Sequence, residues 1–197
     1  MRLKGVLITV TCTALAVLLV VGLVGLGTSS GGSGSGPVRL NLAQMRSQLA
    51  DSPTALQSLH AQAGRILDGG LPALHARLAA LRGEPVVINK WASWCEPCRA
   101  EFGIFQRVSL ARGRAVGFVG IDSSDARSAA AAFLRNYPLS YPSYFDPSGA
   151  AGVAVTDSSF TPVTVFYDRR GRLFIHQGPY PDARKLEEDI ERYALDA

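Results

Sequence analysis

The sequence predicts an α/β domain with a mixed central β-sheet flanked by helices. Short apolar, β-branched runs alternate with helical patterns over the C-terminal two thirds of the chain. The last two such runs, residues 163–167 and 173–176, are separated only by Asp168-Arg169-Arg170-Gly171, which indicates a hairpin. The order strand, helix, strand, helix, two strands, helix is that of a layered α/β fold with a mixed sheet.

An uncharged apolar run opens the chain. Residues 5–26 carry no charged side chain and are long enough to cross a ~30 Å hydrocarbon core as a helix. Arg2 and Lys4 precede the run, and the next charge is Arg39, so the positive-inside bias predicts a cytoplasmic N-terminus. Residues 1–26 are therefore predicted to be a single-pass anchor in the cell membrane, with the rest of the chain on the extracytoplasmic side. A cleaved signal peptide is the alternative, and it exports the same part.

Two further segments precede the predicted domain. Residues 27–37, GTSSGGSGSGP, have the composition of a flexible linker. Residues 38–70 are expected to be a helical N-terminal extension, because their apolar residues recur at helical spacing. Within it, Pro53 is expected in the first turn of a helix that Gly69-Gly70 ends.

From residue 71 to residue 197, helical and strand patterns alternate. Residues 71–81 place leucines on one side of a helix, and residues 85–91 form a β-branched run after Gly83. The predicted elements are, in order, a helix over 71–81, a strand over 85–91, a helix over 95–112, a strand over 115–121, a helix over 125–136, an irregular stretch rich in Pro and Tyr, strands over 163–167 and 173–176, and a helix over 181–195. The polar residues 122–125 are interpreted as a strand end followed by a helix N-cap.

The charge pattern argues against a nucleic-acid partner. The formal net charge is +4, and Arg2 and Lys4 supply two of those charges ahead of the apolar run. The other basic residues are interspersed with acidic ones, as in residues 182–188, rather than gathered in a stripe with aromatics.

The cysteines indicate redox chemistry. Cys12 lies inside the apolar run, whereas Cys95 and Cys98 stand close together in Trp94-Cys95-Glu96-Pro97-Cys98. A disulfide that closes so short a loop removes little chain entropy, so it suits reversible chemistry better than stabilisation. Zinc needs about four ligands, and no second CxxC or paired His lies downstream. No metal and no cofactor is therefore expected, and His60 and His75 are expected in packing or surface roles.

The strand before the cysteine pair and the helix after it place the two sulfurs for thiol-disulfide exchange. At the start of a helix, the Cys95 sulfur faces free backbone N–H groups and the positive end of the helix dipole, which stabilise a thiolate. Cys98 follows one helical turn later, placed to attack a mixed disulfide. Pro97 stiffens the first turn, and the carboxylate of Glu96 opposes the thiolate only modestly because it is exposed.

Residues 91–101, WASWCEPCRAE, resemble the active-site segment of thioredoxin-like proteins, and most closely that of the extracytoplasmic TlpA/ResA-type branch. The resemblance extends over residues 71–197. It implies that Thr161-Pro162 is a cis-proline site beside the cysteines, where a backbone edge can pair with a substrate peptide and metal is kept from the dithiol. Trp94 is expected to offer an apolar face to a partner, and Trp91 is expected in the core.

Three features depart from that pattern. Asn89 stands where cytoplasmic thioredoxins carry a buried aspartate, so proton transfer must use another group or water. Lys90 occupies a usually aromatic position, and the sequence assigns it no role. Helices over residues 41–81 take the place of the usual β-hairpin ahead of the catalytic strand.

The resemblance implies a thiol-disulfide oxidoreductase that exchanges disulfides with exported proteins. It favours a reductant, for example in cytochrome c maturation or metal-site assembly, recharged by a membrane electron donor of the DsbD/CcdA type. An oxidant that forms disulfides in secreted proteins stays open, because the Glu-Pro dipeptide does not determine the potential. A thiol peroxidase is less favoured, since residues 91–94 stand where that class has a Pro-x-x-x-Thr pattern. A non-enzymatic tethered interaction module is the remaining alternative, and the intact cysteine pair argues against it.

Overall fold

The computed structural model describes residues 41–196. The predicted membrane segment, residues 5–26, and the predicted linker, residues 27–37, lie outside this range. Among the helices that are described, none combines the length and the hydropathy that a membrane span requires.

The described elements alternate along the chain. They are α1 (Leu42–Gln48), α2 (Thr54–His60), β1 (Ile66–Leu67), α3 (Gly70–Ala80), β2 (Val86–Trp91), α4 (Glu96–Arg112), β3 (Gly117–Ser123), α5 (Arg127–Asn136), β4 (Ser143–Asp146), α6 (Ala150–Thr156), β5 (Val163–Tyr167), β6 (Leu173–Gln177) and α7 (Ala183–Ile190), which continues into a π-helical turn (Glu191–Leu195).

The strands form one six-stranded sheet in the order β1-β4-β3-β2-β5-β6. The first four strands in this order run parallel, whereas β5 is antiparallel to β2 and β6 to β5. The predicted mixed sheet and the β5–β6 hairpin are therefore confirmed. Strand β2 lies at the centre, with Lys90 opposite Ile121 of β3 on one side and opposite Val163 of β5 on the other.

Helices cover both faces of the sheet. Val87 and Trp91 of β2 point into an apolar core that includes Phe102 of α4, Phe133 of α5 and Leu186 of α7. Because side chains alternate along a strand, Val86 and Ile88 point to the opposite face. There they join Leu56 and Leu59 of α2, Leu74 of α3 and Val155 of α6. The fold is thus a three-layer α/β/α arrangement.

The segment predicted as a purely helical extension is more varied than expected. Its second helix ends at His60 rather than at Gly69-Gly70, and Pro53 is the residue before that helix rather than its first turn. Ile66 and Leu67 form strand β1, which pairs with β4, so the sheet includes part of residues 38–70. A two-residue strand is too short to show a period of two, which is why the leucine spacing around it predicted only helix.

The stretch predicted as irregular contains strand β4 and helix α6. Gly149, with φ +76°, turns the chain between them, and the Asp146 carboxylate accepts hydrogen bonds from the N–H groups of Ala151 (3.2 Å) and Gly152 (2.8 Å). At the C-terminus, the predicted helix is α-helical only to Ile190. Its last turn is π-helical, with Asp196 N–H donating to the Glu191 carbonyl at 2.8 Å.

Candidate active site

Cys95 and Cys98 form a disulfide at the N-terminus of α4. Strand β2 ends at Trp91, a short turn follows, and Cys95 is the N-cap of α4 with Pro97 in the first turn. Cys95 is 3% exposed and Cys98 is fully buried. A partner can therefore reach the pair through Cys95. The sequence also predicts this, because Cys95 stands at the start of the helix and Cys98 one turn further in.

The backbone around Cys95 favours a negative charge on its sulfur. The Sγ atom of Cys95 accepts a hydrogen bond from the Cys98 N–H at 3.2 Å. This group is one of the free donors of the first helical turn, where the helix dipole is positive. When the disulfide is reduced, the same arrangement stabilises the Cys95 thiolate, which is the nucleophilic form.

Thr161 and Pro162 lie directly opposite the disulfide. Their peptide bond is cis, as the resemblance implied, and the Thr161 carbonyl oxygen is 3.7 Å from Cys95 Sγ. Strand β5 starts at the next residue and pairs with β2, so the sheet brings the loop and the cysteines together. The loop exposes Phe160, of which 73% is accessible to solvent.

The two tryptophans lie as predicted. Trp91 is buried and packs edge-on against Phe102, with ring centroids 5.0 Å apart. Trp94 is 62% exposed, and its indole N–H donates to the Ser124 carbonyl at 2.9 Å, which leaves its apolar face open to a partner. Glu96 is exposed in the first turn of α4.

Glu101 is a buried carboxyl group on the helix of the cysteines, in contact with Asn89. It lies three residues after Cys98 on α4, on the same helix face, and is buried. One carboxylate oxygen accepts from the Asn89 amide at 3.1 Å and the other from the Tyr180 N–H at 2.8 Å. Burial raises the pKa of Glu101 to about 7, although both hydrogen bonds act to lower it. A carboxyl group with this pKa can accept and return a proton near neutral pH.

A second buried acid lies behind the active-site turn. Asp122, at the end of β3, is fully buried, and its pKa is raised to about 8, first by burial and then by the negative charge of Asp125. Asp125 in turn accepts hydrogen bonds from the Ser93 N–H and, at 3.0 Å, from the Ser93 hydroxyl. The predicted helix N-cap is corrected here: Ala126 precedes α5, and Asp125 instead fastens the turn that carries the cysteines.

His60 and His75 lie where packing and surface roles were expected for them. His60 is buried, with Nε2 2.9 Å from the Gly113 carbonyl oxygen, and His75 is exposed on α3. Burial lowers the pKa of His60.

Sequence reasoning named the cysteines, Trp94 and the Thr161-Pro162 loop, and the structure brings these residues together. Glu101 stood in the motif without a role, and Asp122 was treated as a strand end. Glu101 pairs with Tyr180, 79 residues away, so local sequence gave no sign of that contact. Asp122 lies only three residues before Asp125, but the raised pKa of Asp122 comes first from burial, which the polar run 122–125 did not indicate.

This fold and site define a class: thioredoxin-fold proteins that carry a CxxC disulfide at a helix N-terminus, opposite a proline loop. Comparison with known proteins agrees, because residues 72–188 match the family described as Redoxin. The chain belongs to the Redoxin family.

Individual relatives are more distant. The chain is 30% identical to the thiol:disulfide interchange protein DsbE of Escherichia coli K12 over 121 residues, which cover 59% of this chain and 63% of that protein. It is 26% identical to the thiol-disulfide oxidoreductase ResA of Bacillus subtilis over 97 residues, 49% of this chain and 54% of ResA. The matches thus span less than two thirds of the length of these relatives.

Solved structures of disulfide oxidoreductases are also similar to this chain. A secreted Mycobacterium tuberculosis disulfide oxidoreductase homologous to E. coli DsbE superposes with a TM-score of 0.53 and 28% identity, over 58% of this chain and 85% of that one. A DsbF homologue from Corynebacterium diphtheriae gives a TM-score of 0.51 and 28% identity, over 58% and 75% of the two chains.

Proposed function

We propose that the protein is a thiol-disulfide oxidoreductase that reduces disulfides in exported proteins through Cys95 and Cys98. The observation that carries the proposal is the position of the Cys95 sulfur. It lies at the N-terminus of α4, accepts the Cys98 N–H, and sits 3.7 Å from the Thr161 carbonyl oxygen. The relatives DsbE and ResA, by their names, carry out thiol:disulfide exchange.

The reaction follows from the two sulfurs and the buried acid. In the reduced protein, the Cys95 thiolate attacks one sulfur of a substrate disulfide and forms a mixed disulfide, releasing the other substrate sulfur as a thiolate. Cys98 then loses its proton to Glu101 and attacks the Cys95 sulfur. The second substrate thiolate leaves. The substrate disulfide has then been reduced by two electrons, and Cys95 and Cys98 have been oxidised to a disulfide.

The setting of the reaction is part of the proposal. Residues 5–26 anchor the chain in the cell membrane, and the active site works on the extracytoplasmic side. A membrane electron donor of the DsbD/CcdA type reduces the disulfide again. The substrates are exported proteins whose cysteines must be free, for example those that attach haem in cytochrome c maturation or those of a metal site under assembly. The TlpA/ResA-type motif around Cys95 supports this assignment.

Trapping tests the proposal. The Cys98→Ser variant cannot resolve the first step, so it should accumulate a mixed disulfide with a disulfide-bonded peptide, visible as a mass increase that dithiothreitol removes. The Cys95→Ser variant is the matched control and should form far less adduct, because the remaining Cys98 is fully buried. Equal adduct in the two variants, or none with either, would contradict the assignment.

A further inference from the structure

Lys90 is a charged side chain inside the sheet. It is next to last in β2, is only 2% exposed, and points to the face that carries α6. Its ammonium group donates to a neutral acceptor, the Ser158 carbonyl oxygen, at 2.6 Å. Burial lowers the pKa of Lys90, and the negative charge of Asp146 works in the other direction.

Core packing does not account for a lysine here. Ile88, on the same face of the same strand, contributes to the apolar core, and an apolar side chain at position 90 would avoid the free-energy cost of burying an ammonium group. The neighbouring helix leaves just enough room for the lysine: a Cβ added to Gly152 would lie 2.8 Å from Lys90 Cε. The side chain is therefore enclosed along its length, and only its end reaches a polar partner.

The partner of Lys90 begins the loop that faces the disulfide. Ser158 O also lies 3.1 Å from the Thr156 hydroxyl oxygen, whose single proton has a shorter contact with Gly152 O at 2.7 Å. The Ser158 hydroxyl accepts from the Phe160 N–H at 3.1 Å. Three residues after Ser158, the Thr161 carbonyl oxygen lies 3.7 Å from Cys95 Sγ. A continuous series of contacts thus connects Lys90, through residues 158–161, to the reactive sulfur.

We propose that Lys90 is a positioning residue that fixes the loop of residues 158–162 against Cys95, so that the loop is already in place when a polypeptide substrate arrives. The proposal rests on the proposed function. Lys90 stays out of contact with the substrate and acts through Ser158.

The position of the loop matters more for a polypeptide than for a small disulfide. Exposed Trp94 precedes Cys95 and exposed Phe160 precedes Thr161 in the chain, so both offer apolar surface to a chain segment that brings its disulfide to Cys95. A loop that is already ordered lowers the entropy cost of that contact. A small aromatic disulfide needs only the sulfur.

The Lys90→Met variant of the full chain tests the proposal, since methionine keeps most of the length and removes the donor. Lys185→Met is the matched control, because Lys185 bonds Asp189 on α7, away from the loop.

Two readouts are compared with the unsubstituted protein: amide hydrogen exchange in residues 157–163, and steady-state reduction of a disulfide-bonded peptide and of dithiobis(nitrobenzoate). In Lys90→Met we expect exchange to accelerate about tenfold or more in this segment and KM for the peptide to rise about fivefold or more. We expect kcat and the rate with the small disulfide to stay within about twofold.

Three results would overturn the proposal: unchanged exchange in residues 157–163, an unchanged peptide KM, or an equal loss with the peptide and the small disulfide. If the unsubstituted protein reduces neither substrate, the proposed function fails, while the exchange comparison still decides whether Lys90 holds the loop. If Lys90→Met does not fold, Lys90→Leu replaces it, because it also removes the donor to Ser158 O. It should change the same readouts in the same direction, and no change would count against the proposal.

Discussion

At the scale of single residues, two buried carboxyl groups have a raised pKa: Glu101, on the helix that carries the cysteines, and Asp122, at the end of β3. Burial is the main cause of the raised pKa of both. Their protonation near neutral pH differs because their partners differ. Glu101 accepts two hydrogen bonds, and its pKa lies near neutral pH, so both forms are populated there. Asp122 faces the negative Asp125 and keeps its proton.

Replacing Glu101 with Gln should slow the second step of the exchange. The glutamine keeps the size of the side chain but cannot take the proton of Cys98, so the single-turnover rate of peptide reduction at pH 7 should fall about tenfold to a hundredfold. The pH dependence of that rate around pH 7 should also flatten, because the group that titrates to about 7 is gone. Stopped-flow fluorescence or rapid alkylation measures both. Glu187→Gln, on α7, is the control and should stay within about twofold; an equal loss there would contradict the assignment.

Replacing Asp122 with Asn should change the pH dependence of stability. The pKa of Asp122 is raised from 3.8 to about 8 in the folded protein, so the folded state keeps a proton that the unfolded chain releases as pH rises through this window. Asp122 therefore lowers the free energy of unfolding with increasing pH, by about 1.4 kcal/mol per pH unit between about pH 5 and 7. Asparagine, which resembles the protonated acid, should remove this part of the slope in urea titrations at several pH values. An unchanged slope would show that Asp122 is ionised in the folded state.

At the scale of elements, helix α6 is held close to the sheet by a glycine. A Cβ at Gly152 would lie 2.7 Å from Ser123 Oγ and 2.8 Å from Lys90 Cε. Gly152→Ala should therefore lower the free energy of unfolding by about 1–3 kcal/mol through overpacking. Gly103 of α4 provides the matched control, because the nearest atom to its added Cβ is the flexible end of Arg107 at 3.6 Å. Gly103→Ala should raise stability by about 0.5–1 kcal/mol. Chemical denaturation compares the two, and equal effects would contradict the packing described for α6.

The elements that the sequence predicted well are those whose local pattern is strong. Strand β2 and helix α4 follow from a β-branched run and a long helical pattern on either side of the cysteines, and β5–β6 from two runs around one turn. Strands β1 and β4 and helix α6 were missed for a physical reason. They have 2, 4 and 7 residues, and the pairing of Ile66 with Ser143 that creates β1 joins distant parts of the chain.

The residues of the candidate site also fall into two groups, those that a local motif predicted and those that it did not. Cys95, Cys98 and Trp94 belong to one contiguous motif, and Thr161-Pro162 stands at the start of a predictable strand. The contacts that tune the site are non-local: Lys90 reaches Ser158 across 68 residues, and Glu101 meets the Tyr180 N–H across 79. Such pairings depend on the register and packing of the whole sheet, which no local pattern specifies.

At the scale of the whole molecule, the folded unit extends ahead of the predicted domain start at residue 71. Leu49, Leu56 and Leu59 are buried, and β1 completes one edge of the sheet. Each buried leucine contributes about 2 kcal/mol, so their joint loss is comparable to the whole stability of an ordinary domain, about 5–15 kcal/mol. A chain that starts at residue 71 should therefore show no cooperative unfolding transition, whereas one that starts at residue 38 should. Circular dichroism against temperature distinguishes the two, and equal transitions would contradict the role of these residues.

The central claim is that Cys95 and Cys98 form a reversible dithiol that works as a reductant. Its most direct test is the reduction potential of the full chain, titrated in dithiothreitol and glutathione buffers with thiol alkylation as the readout. The account predicts one two-electron transition near the value of thioredoxin, about −270 mV, that is absent in Cys98→Ser. A transition near about −120 mV would contradict the reducing role and support an oxidant. The absence of any reversible two-electron transition would contradict the oxidoreductase assignment itself.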